Sequence, residues 1–494
     1  MSNLRHHPLG SPVPASVHAV CVSLPTVRDV IGYEEKHPET LAAVKFAYPR
    51  FVFHDYVLRA AEWGAKRHGL EGRAVYAVSS EASAREMAVW MKLGDYAIEP
   101  EADFVLIHFP ESPEARAGAK AFLQHTGTSI SSRQAEAYLH AAGLLPQTQT
   151  EERVPAATAE STVRDTLREY LPTPALHLCS SGMNAFYAAL KTTRTLQAPR
   201  GRRLYVQLGW LYLDTMKILE KFLGPDEEVI VQNDVFDWTA IEKIFADYGD
   251  RLAGVVTELP TNPLVQTPDL ERLSALCRKH GVVRIFDPSL SGVVNVDILP
   301  HTDLLMTSLT KYAAHAGDVM SGALAVNPGS PFFAELDTLV AHECQAPYAG
   351  DVARLAAQIG GMPAVAATVN ANALALADHL ASSPKVVRLF TPLESRSAAN
   401  YRRIARSDEA VGAILTLELA GNLADFYDHA RVVKGPSFGT GYTMMCPFLY
   451  LAHYDLVSTP TGREHLHARG LNPELIRLSV GAEPVGEIID ALGL

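Results

Sequence analysis

From Leu176 onward, short apolar runs alternate with longer amphipathic ones. RLYVQLG is followed by YLDTMKILEKFLG, EEVIVQND by WTAIEKIFADYGDRL, and LAGVVTELP by DLERLSALCRKHG; VVRIFDPS, DLLMTSLTK and GALAVNP close the series. Short apolar runs bounded by turn formers read as strands buried on both faces, and the amphipathic runs read as helices packed on them. This alternation predicts an α/β fold with a mostly parallel central sheet and helices on both faces. Ligands in such sheets sit at the carboxyl ends of the strands. A long helical stretch, about Val352 to Ala381 and interrupted at GGMP, follows the sheet. Beyond it, VVRLF, AVGAILTLELAG, RVVKG and LIRLSVGAEP predict short strands with a few helices.

Before Leu176 the pattern is weaker. The first 50 residues carry Pro12, Pro14, Pro25, Pro38 and Pro49 and read as loop. Residues 55–165 read as helical stretches such as EASAREMAVWMKL mixed with polar loops, and PQTQTEERVPAATAEST, from Pro146, reads as an exposed connection. The resulting division is an arm (1–55), an inserted or extended region (56–165), a large α/β domain (166–350), and a linking helix with a smaller C-terminal α+β domain (351–494).

Composition narrows the function classes. In the 494 residues, 43 Lys+Arg stand against 55 Asp+Glu, a formal net charge of −12, and no basic block stands out. A general nucleic-acid or anionic-membrane binder needs the opposite sign. Cys21, Cys179, Cys277, Cys344 and Cys446 are scattered and never form C-x-x-C, which fits a reducing compartment and argues against a disulfide scaffold or a metal site. The N-terminus, MSNLRHHPLGSPVP, lacks an apolar signal core, and no apolar run approaches the roughly 18 residues of a membrane span. The default address is the cytoplasm.

Candidate chemistry gathers at predicted strand ends. Lys311 follows DLLMTSLT; a buried lysine there can form an imine with an aldehyde, and Ser308 and Thr310 supply hydroxyls suited to phosphate. In HLCSSGMNAFYAALKTT a strand runs into Ser180-Ser181-Gly182, and a helix opens near Met183. Free N–H groups at a helix start bind phosphate, and Gly182 allows close approach. Asp287 ends VVRIFD, where a carboxylate can pair with a protonated pyridine nitrogen. Asn262, after VVTELPT, is placed to meet a phenolic oxygen. Each alone has a plainer reading: a surface lysine, an N-cap serine, a turn aspartate, an Asn-Pro turn. Together they occur in order, each at a strand end.

With these residues in hand, the chain resembles the Cys/Met-metabolism family of pyridoxal-phosphate (PLP) enzymes, most of all the long fungal-type cystathionine γ-synthases. The matching stretches are HAVCVSLPT near His18, GYEE at Gly32, YPRF at Tyr48, SSGM at Ser180, LDTMKIL at Leu213, ELPTNP at Glu258, SLTK at Ser308, GPSFGTGYT at Gly435 and IRLSVGAE at Ile476. The resemblance implies an aspartate-aminotransferase-type fold, with PLP as a Schiff base on Lys311. It also implies Asp287 on the pyridine nitrogen, a phosphate cradle of Ser181, Gly182, Met183, Ser308 and Thr310, and Asn262 near the phenolic oxygen. Tyr48 and Arg50 match the pair that reaches the phosphate of a neighbouring subunit in a homodimer or homotetramer. Arg477 matches the fork that grips a substrate α-carboxylate, and Ser437 lies in the pocket loop.

Two departures from the family pattern stand out. Leu208-Gly209-Trp210-Leu211-Tyr212 replaces Tyr-Gly-Gly-Thr-Tyr, so the ring-stacking position reads as Leu208, with Trp210 or Tyr212 as substitutes. Asp287-Pro288-Ser289 replaces Asp-Asn-Thr. The resemblance implies small amino-acid substrates and γ-replacement on an O-activated L-homoserine, with L-cysteine giving cystathionine. The alternatives are a γ-lyase, an O-acylhomoserine sulfhydrylase, a biosynthetic enzyme using a carbon or other unusual nucleophile, and a PLP-fold protein that has lost catalysis.

Overall fold

The computed structural model describes residues 3–45 and 51–494. Its largest sheet has seven strands, in the spatial order Leu176–Cys179, Gly322–Val326, Leu304–Ser308, Val283–Asp287, Leu252–Glu258, Leu204–Leu208 and Glu228–Gln232. Neighbouring pairs from Leu304–Ser308 to Glu228–Gln232 are parallel, as strand–helix alternation requires. Gly322–Val326 runs antiparallel to both its neighbours. The connection that precedes it holds only a short 3-10 turn, Tyr312–Ala314, so the chain doubles back instead of crossing over. Every residue of Leu252–Glu258 is buried, as a run covered on both faces should be.

A buried ion pair braces the strands at the end away from their carboxyl edge. Arg284 is 2% exposed and forks onto Asp303 with Nε–Oδ2 at 2.8 Å and Nη2–Oδ1 at 2.6 Å. The Arg284 N–H and the Ser330 hydroxyl also donate to that carboxylate, so both charges are well solvated by protein groups.

The C-terminal part forms a five-stranded sheet in the order Val386–Phe390, Ile414–Leu419, Ile476–Ser479, Met444–Pro447, Val433–Lys434. The expected long helix is two helices, Ala349–Ile359 and Met362–Ala381, bent by 59°. No single helix among the described residues is long and apolar enough to cross a membrane. Leu355, Ile359, Val369 and Leu376 of the bent pair are buried against the rest of the protein.

The first 165 residues hold more structure than their sequence pattern suggests. The arm carries helices Val27–Glu34 and Pro38–Ala43 and a small sheet of Pro12–Val13 with Cys21–Val22. The capping box of Thr26 and Asp29 starts the first helix, and Pro38 sits in the first turn of the second, where its missing N–H costs nothing. Residues 73–110 form a three-stranded antiparallel sheet of Arg73–Val78, Val105–Pro110 and Ala97–Pro100. The stretch from Pro146 is not simply an exposed connection. Most of residues 146–155 are exposed, but the Glu151 carboxylate is held in a fork by Arg133, and Ala156–Arg168 is a helix packed beside Ala349–Ile359.

Candidate active site

Parallel strands bring their carboxyl ends to one edge, and a cavity opens there, lined by residues of both large sheets. Leu304–Ser308 delivers Ser308 and then Lys311, which is only 7% exposed. The Lys311 Nζ donates to Ser437 Oγ at 3.1 Å and lies 4.5 Å from the centroid of the Phe438 ring. Asp287 ends Val283–Asp287 and accepts the Ser289 N–H at 2.7 Å. Burial pushes the Asp287 carboxyl up to about 6, opposed by its bonds from Ser289 and by the charge of Lys311. Ser289 also accepts the Ser308 N–H at 2.7 Å, joining the two strand ends.

Facing them is the start of helix Gly182–Gln197. Ser181 is its N-cap and accepts the Asn184 N–H at 3.0 Å, so the plain capping reading of Ser181 holds, although the residue also lines the cavity. A Cβ on Gly182 would meet the Ser308 Cβ at 2.8 Å, so only glycine lets the helix start sit flush against the strand end. Gly182 and Met183 line the cavity with their helix-start N–H groups uncommitted to the helix ladder. Thr310 is the exception in the expected cradle. It is not in the cavity wall, and its hydroxyl is tied to the Ser321 backbone, accepting N–H at 3.1 Å and donating to the carbonyl at 3.3 Å.

Arg477, in the middle strand of the C-terminal sheet, is 3% exposed and reaches across to the same cavity. Its Nη1 donates to Asn262 Oδ1 at 3.1 Å and its Nη2 to the Pro436 carbonyl at 2.8 Å, while Nε is buried with no hydrogen-bond partner. Phe438 and Phe448 lie 5.0 Å and 4.9 Å from the guanidinium. Asn262 lines the cavity, and here its amide oxygen orients Arg477. Tyr48 and Arg50 lie outside the described residues; Phe51 lines the chain's own cavity.

Among the wall residues given no role from sequence are Glu258, Phe438 and Cys446. Glu258 was legible as a strand end in VVTELP, but its carboxyl was not connected to a neighbour. Of the residues at or near the ring-stacking position, Leu208 is buried in the core and Trp210 packs edge-on to His453 at 5.4 Å; neither lines the cavity. Tyr212 does.

The donor set fits pyridoxal phosphate: a helix-start cradle kept open by Gly182, a buried amine, and a buried carboxylate where a ring nitrogen would carry a proton. Of Leu208, Trp210 and Tyr212, only Tyr212 is in the cavity wall, which makes it the candidate to cover the ring. Tyr212→Ala is expected to weaken PLP binding about tenfold, the worth of a lost aromatic contact, while Trp210→Phe leaves it unchanged. Titrating PLP into the apo-proteins measures both, and equal losses would remove Tyr212 from that role.

Comparison with known proteins agrees with this geometry. The sequence model for Cys/Met metabolism PLP-dependent enzymes matches residues 152–493. The chain is similar to the L-2-amino-4-chloropent-4-enoate dechlorinase/desaturase of Streptantibioticus cattleyicolor, 39% identical over 475 residues that cover 96% of this chain and 95% of that one. It is also similar to the cystathionine gamma-synthase of Neurospora crassa, 31% identical over 320 residues, 64% of this chain and 50% of that one. Its fold is similar to that of cystathionine gamma-synthase from Xanthomonas oryzae pv. oryzae, with a TM-score of 0.57 and 20% identity over 71% of this chain and 89% of that one.

Proposed function

Because the chain belongs to the Cys/Met metabolism family of PLP-dependent enzymes, we propose that it expels a leaving group from the γ carbon of a small, apolar L-amino acid, a γ-halide foremost. The observation that carries this reading is the make-up of the substrate side of the cavity. Arg477 is the one guanidinium in its wall among the described residues, and Leu213, Phe438, Phe448 and Leu451 supply an apolar surface around it. One fork suits one carboxylate. Cystathionine carries two carboxylates, and the described wall offers the second one no guanidinium. The similarity to a dechlorinase acting on a 4-chloro amino acid, whose chlorine sits on the γ carbon, supports the same choice.

Bound PLP would supply an electron sink for the substrate's α carbon. Gly182, Met183 and Ser308 would hold its phosphate, and Asp287 would keep the ring nitrogen protonated. Arg477 grips the α-carboxylate and so fixes which face of the α carbon meets Lys311. The Lys311 Nζ, held by Ser437, takes the Cα proton as general base. The electron pair of a second C–H bond, at Cβ, then forms a carbon–carbon double bond as the γ substituent leaves with its own pair. The apolar wall excludes water from this sequence and leaves the departing anion no strong protein partner.

Cysteine-dependent γ-replacement on an O-activated homoserine is the second reading, favoured by the similarity to the Neurospora crassa enzyme. A substrate panel separates the two. Holoenzyme is given γ-halo amino acids and O-acylhomoserines, with and without cysteine, and halide release and products are followed by mass spectrometry. The expected result is halide release without any nucleophile, at least about tenfold faster than cystathionine formation. Cystathionine as the main product from O-acylhomoserine and cysteine would establish the second reading instead.

A further inference from the structure

Asp287 is not alone at the carboxyl edge of the sheet. Glu258 ends the neighbouring parallel strand and is the register partner of Asp287. Residues in register on adjacent parallel strands share a face, about 4.8 Å apart. Both line the cavity, and Glu258 is 6% exposed. The Glu258 Oε1 accepts the Tyr212 backbone N–H at 2.5 Å. Tyr212 opens helix Leu213–Lys221 and makes no side-chain cap of its own, so Glu258 anchors both the helix start and the aromatic residue in the cavity wall.

The charges around Glu258 decide its form. Asp287 and Arg477 face it, and Lys311 faces Asp287. Arg477 is already shared among Asn262 and the carbonyls of Pro436 and Ser437. A substrate carboxylate would claim that guanidinium, and an ionised Glu258 would then confront Asp287 with no cation of its own. Burial acts in the same direction: desolvation, then the charge of Asp287, hold the Glu258 carboxyl well above the usual carboxylate range.

We propose that Glu258 is a positioning residue that works as the neutral acid: it fixes the Tyr212 main chain, and with it the ring that walls the cavity, and leaves Asp287 as the anion at that end. This rests on the cavity being the PLP site and not on which γ substituent leaves, so the substrate panel can fail while this stands.

Glu258→Gln keeps an acceptor for the Tyr212 N–H and cannot ionise; Glu258→Ala removes the acceptor. PLP titration of the apo-proteins, and the visible absorption of bound PLP followed against pH, read the proposal without turnover. Glu258→Ala is expected to bind PLP about tenfold more weakly, as loss of a buried hydrogen bond predicts, and Glu258→Gln to regain most of that loss. The absorption profile of the Gln variant should superpose on that of the wild type between about pH 6 and 9. A Gln variant that binds PLP as poorly as the Ala variant, or whose profile is displaced by about one pH unit or more, overturns the proposal, because the anion would then be the working form. Circular dichroism of the apo-proteins shows whether each folds. If the Ala variant does not, the Gln and wild-type profiles decide alone: superposition supports the neutral acid and displacement rejects it.

Discussion

Lys311→Ala is expected to lower kcat by about four orders of magnitude or more, because on the proposed mechanism it removes both the amine that anchors the cofactor and the base that moves the Cα proton. General acid–base catalysis by one positioned group contributes roughly 10²–10⁴-fold, and the covalent anchoring adds to that. The loss should not come from unfolding. Lys311 is buried, donates to Ser437 and lies above the Phe438 ring. Truncation therefore leaves a serine hydroxyl able to find water and removes a buried amine that was costly to desolvate. The strand Leu304–Ser308 and the Arg284–Asp303 fork that braces it are untouched. Borohydride reduction followed by peptide mapping gives the second measurement. The wild type should carry the pyridoxyl label on Lys311, and the variant should carry none while still taking up PLP reversibly through the helix-start cradle. A label on another lysine, or a variant with near-normal kcat, would rule out this residue as the anchor.

Arg477→Ala should lower kcat/KM for every amino-acid substrate by about 10²- to 10³-fold while leaving PLP affinity nearly intact. Truncating one partner of a buried, hydrogen-bonded charge pair costs roughly 2–5 kcal/mol, and tenfold corresponds to about 1.4 kcal/mol. Arg477→Lys is expected to recover little. The guanidinium forks onto Asn262 and Pro436 while packed between Phe438 and Phe448, and an ammonium reproduces neither the planar fork nor the stacking. Steady-state kinetics with a PLP titration on the same preparations separates the two effects. Loss of cofactor in parallel with loss of kcat/KM would mean that Arg477 organises the cofactor end as well as the carboxylate end.

Much of the cofactor end was legible because it is written locally. A strand buried on both faces of a parallel sheet appears as an apolar run, and the first polar residue after it sits at the sheet edge. That is how DLLMTSLTK located Ser308 and Lys311 and VVRIFDPS located Asp287. The first 165 residues were harder to read. RAVYAV is rich in alanine, which favours helix, and it pairs with Val105–Pro110, beyond the intervening helix Glu81–Trp90 and strand Ala97–Pro100. Met444–Pro447, which brings Cys446 to the cavity, is short and ends in proline, a poor strand signal.

By itself, then, the amino-acid sequence determined the alternating architecture, the glycine at position 182 and the chemical groups at the strand ends, since apolar runs, turn formers and residue type are properties of consecutive positions. Only the tertiary structure decided which groups meet. Trp210 and Tyr212 stand two residues apart on one loop, and packing against His453 turns the first away and leaves the second in the cavity. Thr310 and Ser308 flank one residue, yet pairing with Ser321 withdraws the Thr310 hydroxyl. Glu258 and Asp287 became one electrostatic unit through strand register, and Arg477 joined them from a different sheet. Side-chain direction and ionisation depend on neighbours distant in sequence, and burial magnifies each charge that folding brings close.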